Sequence, residues 1–182
     1  MGFFKVKQRP YYSRRRITNA GYLILNIVMA LALNGCYSFN GASVPPHLKT
    51  IAIPLFDDQS GSGEPGLREK ITNSLVDRFN RDNNLQVADK THSDSILEGV
   101  INAMPDAPAV VTAGENVTKR RITVNVTVKF QDMKLKKKVW EKQFSNFGDY
   151  QAGSDISLRT AAIDAAISKI TEDIVLETVS GW

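Results

Sequence analysis

"RITVNVTVKF", residues 121–130, sets Ile122, Val124, Val126, Val128 and Phe130 in strict alternation with Arg121, Thr123, Asn125, Thr127 and Lys129. Successive side chains of an extended chain point to opposite faces, so this stretch predicts a strand with one dry face and one wet one. A turn over Asp132 to Lys137 and a return strand over Val139 to Phe147 make it one arm of an antiparallel hairpin. A sheet with a single dry face needs a second layer to cover it, and that requirement organises the rest of the chain.

Working outward, two segments have the pattern to supply that layer. After the loop "DDQSGSGE", Pro65 stands where a first helical turn accepts it, and Leu67, Ile71, Leu75 and Phe79 follow at intervals of four. This helix runs to about Asp82, where Asn83-Asn84 can supply a left-handed stop. A second helix opens near Ser154 as a cap and carries Ile156, Ile163, Ile167, Ile170 and Ile174 on one stripe. Ala161, Ala162, Ala165 and Ala166 beside that stripe allow a close approach to the sheet. Thr50 to Phe56 reads as a first strand interrupted near Pro54, which has no N–H to donate. Shorter strands fit Leu85 to Ala88 and Ile96 to Ala103. The expectation is an α+β, two-layer sandwich with two helices on one face of a mainly antiparallel or mixed sheet of about four strands.

Composition agrees with a folded domain: of 182 residues, 42% are hydrophobic and 23% charged. The net charge of +4 invites a nucleic-acid partner, but six of the 23 basic residues precede residue 17. From Cys36 onward, 17 basic residues face 19 acidic ones, so the folded part is slightly acidic and no nucleic-acid partner is expected. The basic start, ending at Arg16, and the apolar run from Ala20 to Leu33 read as a secretion signal, too short for a comfortable membrane span. Ser13-Arg14-Arg15-Arg16-Ile17 is also similar to a twin-arginine export signal.

The apolar run ends at the only cysteine of the chain. Leu33-Asn34-Gly35-Cys36 resembles the lipobox of bacterial lipoproteins, with Asn34 the departure from the usual small or β-branched residue. The resemblance implies cleavage before Cys36 and acylation of its thiol. Two or three acyl chains, at about 0.8 kcal/mol per buried methylene, hold a protein on a bilayer durably. The expected organisation is therefore residues 1–35 as a signal that is removed, 36–49 as a lipidated tether with Pro45-Pro46, and 50–182 as a single α+β domain.

Catalysis finds little support. Gly61-Ser62-Gly63-Glu64-Pro65-Gly66 has the outline of a dinucleotide loop, but Glu64 would repel a pyrophosphate and the loop is too long for the tight turn. His47, His92 and one cysteine make no metal-ligand spacing, and "KTHSDS" around His92 reads as a polar turn. No catalytic residue, metal or cofactor is expected. Two basic groups remain: Lys119, Arg120 and Arg121 at one end of the long strand, and Lys134, Lys136, Lys137 and Lys138 in the hairpin turn. Both can lie on one end of the same ribbon, a chemistry suited to phosphates. Equally, such lysines can simply keep an edge soluble.

"CYSFNGASVPPHLKTIAIPLFDDQSG", "EPGLREKITNSLVDRFNRDNNLQVADKTHSDSILEGVI" and "RRITVNVTVKFQDMKLKKKVWEKQFSNFGDYQ" together resemble the LptE family of lipopolysaccharide-assembly lipoproteins. The resemblance implies a non-enzymatic, lipid-anchored protein of the outer membrane, facing the periplasm. It further implies that the protein plugs the β-barrel translocon LptD and binds lipopolysaccharide, with Cys36 as the lipid attachment. "KTIAIPLFDDQSG" is also similar to the opening strand of penicillin-binding-protein activators and curli-pore lipoproteins, which leaves a second class open.

Overall fold

A computed structural model of the chain describes residues 44–109 and 119–180. The signal segment, Cys36 and the first part of the tether lie outside these residues. The centre of the fold is the hairpin read from the sequence, a strand at Lys119–Asp132 (here β6) and its partner at Lys137–Gln151 (β7). Pairing runs from Lys119 opposite Gln151 to Asp132 opposite Lys137, with a register shift between Phe130 and Gln131. Ile122, Val124, Val126, Val128 and Phe130 are all 0% exposed, so the alternation places its dry face as expected.

The other edge of β6 pairs antiparallel with β4 (Ser95–Ala103) and, beyond a break at Met104-Pro105, with β5 (Asp106–Pro108). On the far side of β4 lie β1 (Thr50–Ala52) and β2 (Asp57–Asp58), both parallel to it, and β3 (Gln86–Val87) runs parallel to β1 at the edge. The sheet is mixed and seven-stranded rather than about four-stranded. Prolines make most of the difference. Pro54 interrupts the first strand and divides it into β1 and β2, and Pro105 separates β4 from a short continuation that no periodicity announces.

Helix α1 spans Leu67–Asp82 and buries Leu67, Ile71, Leu75 and Phe79. It starts later than Pro65, because Gly66 takes a left-handed conformation (φ 70°) immediately before it. Its end is the predicted one: Asn83 adopts φ 58° and its N–H bonds the Phe79 carbonyl at 3.0 Å. Helix α2 spans Ile156–Ser180 and buries Ile163, Ile167, Ile170 and Ile174 with Ala162 and Ala166. Ile156, expected on that stripe, is 68% exposed, and Ser154 does not cap the helix; its hydroxyl turns back to the Gln151 carbonyl at 2.6 Å.

The two helices lie side by side and run the same way. Lys70 reaches Asp164, while Arg78 donates to the Ser168 carbonyl at 2.7 Å and to the Thr171 hydroxyl at 2.9 Å. Both bury their apolar stripes in one cluster with the dry face of β6. Close approach of α2 to the sheet requires Gly148 of β7: a Cβ there would lie 2.0 Å from the Ala162 carbonyl oxygen. No helix among the described residues is long and apolar enough to cross a membrane.

Candidate anion-binding ends of the long hairpin

The structure does not bring the two basic groups together. Lys119, Arg120 and Arg121 open β6, and the turn with Lys134 and Lys136 follows its last residue, Asp132. The eleven strand residues from Ile122 to Asp132 separate the two groups by about 37 Å at roughly 3.4 Å per residue, so they occupy opposite ends of the ribbon. The expectation of a single cationic end is corrected for this reason. A strand that pairs throughout its length cannot fold its ends onto each other.

At the first end, most of the charge is already engaged. Arg120 donates through Nε to the Asp106 carboxylate at 2.8 Å and through Nη2 to the Asp106 carbonyl at 3.0 Å. The Tyr150 hydroxyl donates to the same carboxylate at 2.7 Å, and Arg159 of α2 lies 3.5 Å from it while binding Glu64 at 2.7 Å. Burial pushes the Asp106 carboxyl up, but the hydrogen bonds from Tyr150 and Arg120 outweigh it and the net shift is downward. Burial also raises the Tyr150 hydroxyl, and its hydrogen bond to Asp106 adds to that. Glu64, the residue that spoils the dinucleotide outline, thus ties its glycine loop to α2.

Arg121 points to the wet face and grips Asp149 with two parallel bonds, 2.6 and 2.9 Å, its guanidinium stacked 3.5 Å from the Phe147 ring centre. That contact holds the Asp149 carboxyl below the usual carboxylate range. The Lys119 ammonium has no hydrogen bond or ion pair among the described residues, and the residue borders an open pocket with Asp149, Tyr150 and Gln151. Each arginine also keeps Nη1 free of these bonds. The end therefore offers one exposed ammonium without an ion-pair partner among the described residues and two guanidinium edges fixed by carboxylates.

At the opposite end the turn is built on Asp132, which is 3% exposed. One carboxylate oxygen accepts the Leu135 N–H at 2.8 Å, and the other meets His47 Nε2 at 2.6 Å. Burial raises this carboxyl, while the Leu135 N–H and His47 lower it, and the balance is downward. Lys134 reaches away from the turn to Asp94 at 2.9 Å and to the His47 carbonyl at 2.7 Å. Asp94 is lowered first by that lysine and further by the Lys49 and Thr50 N–H groups. Lys138 binds Glu141 at 2.8 Å. Of the four turn lysines, Lys136 and Lys137 alone lack such a partner among the described residues. They stand exposed next to Met133 and Leu135.

His47, Asp94 and Asp132 form a latch that sequence reading did not single out. The separations of 45 positions between Lys49 and Asp94 and 85 between His47 and Asp132 leave no local signal; Asp132 reads only as a turn residue. The remaining candidates for chemistry do not assemble. Among the described residues no group of His, Cys, Asp and Glu could hold a metal ion. His92 bonds the adjacent Thr91 hydroxyl at 2.9 Å, and Ser93 turns to the Lys90 carbonyl.

These features define, as a class, a two-layer α+β module with a polar outer sheet face and cationic ends, fixed by ion pairs. The chain belongs to the LptE family, lipopolysaccharide-assembly, whose family model matches residues 48–178. No curated protein matches it by sequence. Among solved structures it is similar to protein XCC0632 from Xanthomonas campestris, at 16% identity and a TM-score of 0.55, over 76% of this chain and 91% of that one. It is also similar to the hypothetical protein CT253 from Chlamydia trachomatis, at 8% identity and a TM-score of 0.57, over 71% of this chain and 95% of that one. At such identities the likeness is one of fold.

Proposed function

We propose that the chain is an outer-membrane lipoprotein, acylated at Cys36 after removal of residues 1–35, that plugs the β-barrel translocon LptD and helps deliver lipopolysaccharide to the outer leaflet. The observation that carries this reading is the extent of the family match, which runs from Leu48, where the tether enters the fold, to Thr178 in the last turn of α2. The role is one of assembly and binding, with no chemical step. The outer sheet face supports it: Arg121, Thr123, Asn125, Thr127 and Lys129 of β6 lie opposite Asp149, Phe147, Ser145, Gln143 and Glu141 of β7, and Phe147, the one apolar side chain among them, is covered in part by the Arg121 guanidinium. A polar face of this kind matches the polar lumen of a large barrel.

Lipopolysaccharide phosphates are assigned to the end of the ribbon that carries Lys119, Arg120 and Arg121, remote from the point where the tether enters. There the lysine supplies an exposed charge, and the two guanidinium edges add fixed donors. Lys119→Glu combined with Arg121→Gln should weaken lipopolysaccharide binding about tenfold or more, on the scale of two charge-assisted contacts. Unchanged binding at moderate salt would remove the assignment. The whole reading is tested by pull-down from solubilised membranes. Recovery of a large β-barrel supports it, whereas a peptidoglycan synthase or a homomeric ring would replace it with the activator or pore class.

A further inference from the structure

The β6–β7 turn combines three properties that the proposed barrel and lipopolysaccharide contacts leave unused. Met133 is 41% and Leu135 65% exposed. Lys136 and Lys137 follow them with no ion pair among the described residues, and the turn itself is pinned by Asp132 through the Leu135 N–H. The third property is position. His47, at the root of the tether, is bound both to Asp132 and, through its carbonyl, to Lys134. The chain therefore passes the base of this turn just after Val44, which packs against the core. Cys36 stands eight residues before Val44. A chain of that length spans at most about 29 Å.

We infer that the Met133–Lys137 turn is a second membrane contact, in which Met133 and Leu135 enter the boundary between headgroups and acyl chains of a phospholipid leaflet and Lys136 and Lys137 meet its anionic headgroups. Apolar side chains flanked by lysines are the chemistry of an interfacial segment: the hydrocarbon enters the boundary while the ammonium groups stay with the phosphates. Lys134 is held inside the latch and Lys138 by Glu141, so the two lysines that remain are those on the exposed tip. The tether makes the docking intramolecular, at an effective concentration in the millimolar range, so a weak contact is populated. Anchor and tip together would fix the domain at two points and aim the Lys119 end away from the leaflet. The position of the anchor rests on the acylation of Cys36 proposed above; the lipid chemistry of the tip does not.

The test uses the acylated protein purified from membranes and inserted into vesicles of phosphatidylethanolamine and phosphatidylglycerol. An environment-sensitive fluorophore is placed on Leu135→Cys or, at the opposite end, on Gln151→Cys. The label at 135 should shift to the blue and be quenched by nitroxide-bearing lipids, while the label at 151 should show neither effect. A parallel sample, the mature chain with Cys36→Ser held by an N-terminal hexahistidine tag to nickel-chelating lipid, should behave alike. Flotation of the untagged protein reports acylation separately. Without any tether, Lys136→Gln with Lys137→Gln should lower partition onto phosphatidylglycerol vesicles about thirtyfold, from the usual gain per basic residue at an anionic surface. A label at 135 that stays in water in both tethered forms overturns the inference. So does partition that the double substitution leaves unchanged, or a tip that binds lipopolysaccharide aggregates but not phosphatidylglycerol.

Discussion

Gly148→Ala tests the packing of the two layers where they come closest. The added methyl would lie 2.0 Å from the Ala162 carbonyl oxygen, 2.7 Å from its carbon and 2.8 Å from its Cα, all backbone atoms of α2. No side chain can rotate away, so the helix has to lift by about 1 Å to reach even a tight contact. Lifting it draws Ile163, Ile167 and Ile170 out of a core where interior packing leaves no slack. Overpacking of this kind costs about 1–3 kcal/mol, and a clash with backbone belongs at the upper end. For a domain of this size, about 3 kcal/mol corresponds to a melting temperature lower by roughly 10 °C. The assay is thermal unfolding of the purified chain in mild detergent, followed by circular dichroism. Gly153→Ala is the control, since Gly153 has φ 73° but an added methyl there would meet nothing within 4 Å, and left-handed strain alone costs about 1–2 kcal/mol. If Gly148→Ala melts no lower than Gly153→Ala, the close helix–sheet contact does not exist and the packing argument fails.

The cluster around Asp106 predicts a pH dependence. Its carboxyl is held below the usual range, so the stability it contributes is fully present above the unfolded-state pKa of about 4. That contribution is lost as pH falls through the lower folded-state value. Asp106→Asn should cost about 2 kcal/mol at neutral pH by removing the carboxylate charge that Arg120 and Arg159 face, and should flatten the acid limb of a stability-against-pH curve; an unchanged acid limb would contradict the assignment. Cys36→Ala should move the protein from the membrane to the soluble fraction with its melting temperature unchanged. Quantitative retention in washed membranes would show that something other than acyl chains holds it.

What was legible in the sequence was whatever repeats along the chain. The alternation from Arg121 to Phe130 placed β6 and its dry face, and the four-residue spacing of Leu67 to Phe79 placed α1, because burial imposes the period of the backbone on the residues. Asn83 marked the end of α1 because few residues accept a left-handed stop. Short elements were not legible: β5 is three residues long, and a run of that length carries no period. The strand count failed for a related reason, since Pro54 and Pro105 divide runs of chain that continue along the same neighbours. The basic residues were visible as charges, but their carboxylate partners Asp106 and Asp94 come from other strands or their flanks. Composition shows a lysine; only the fold shows which lysines are already occupied.

The latch at His47 also has a mechanical meaning. If the chain is tethered through its N-terminus, any lateral drag on the domain enters at residues 44–50. Without the latch, that load would fall on β1, a strand of three residues whose few bonds would open one after another. With His47 joined to Asp132 and Lys134, and Lys49 to Asp94, the load is divided among the ends of β1, β4 and β6. Several bonds must then fail together, and a strand of fourteen residues shares the strain with one of three.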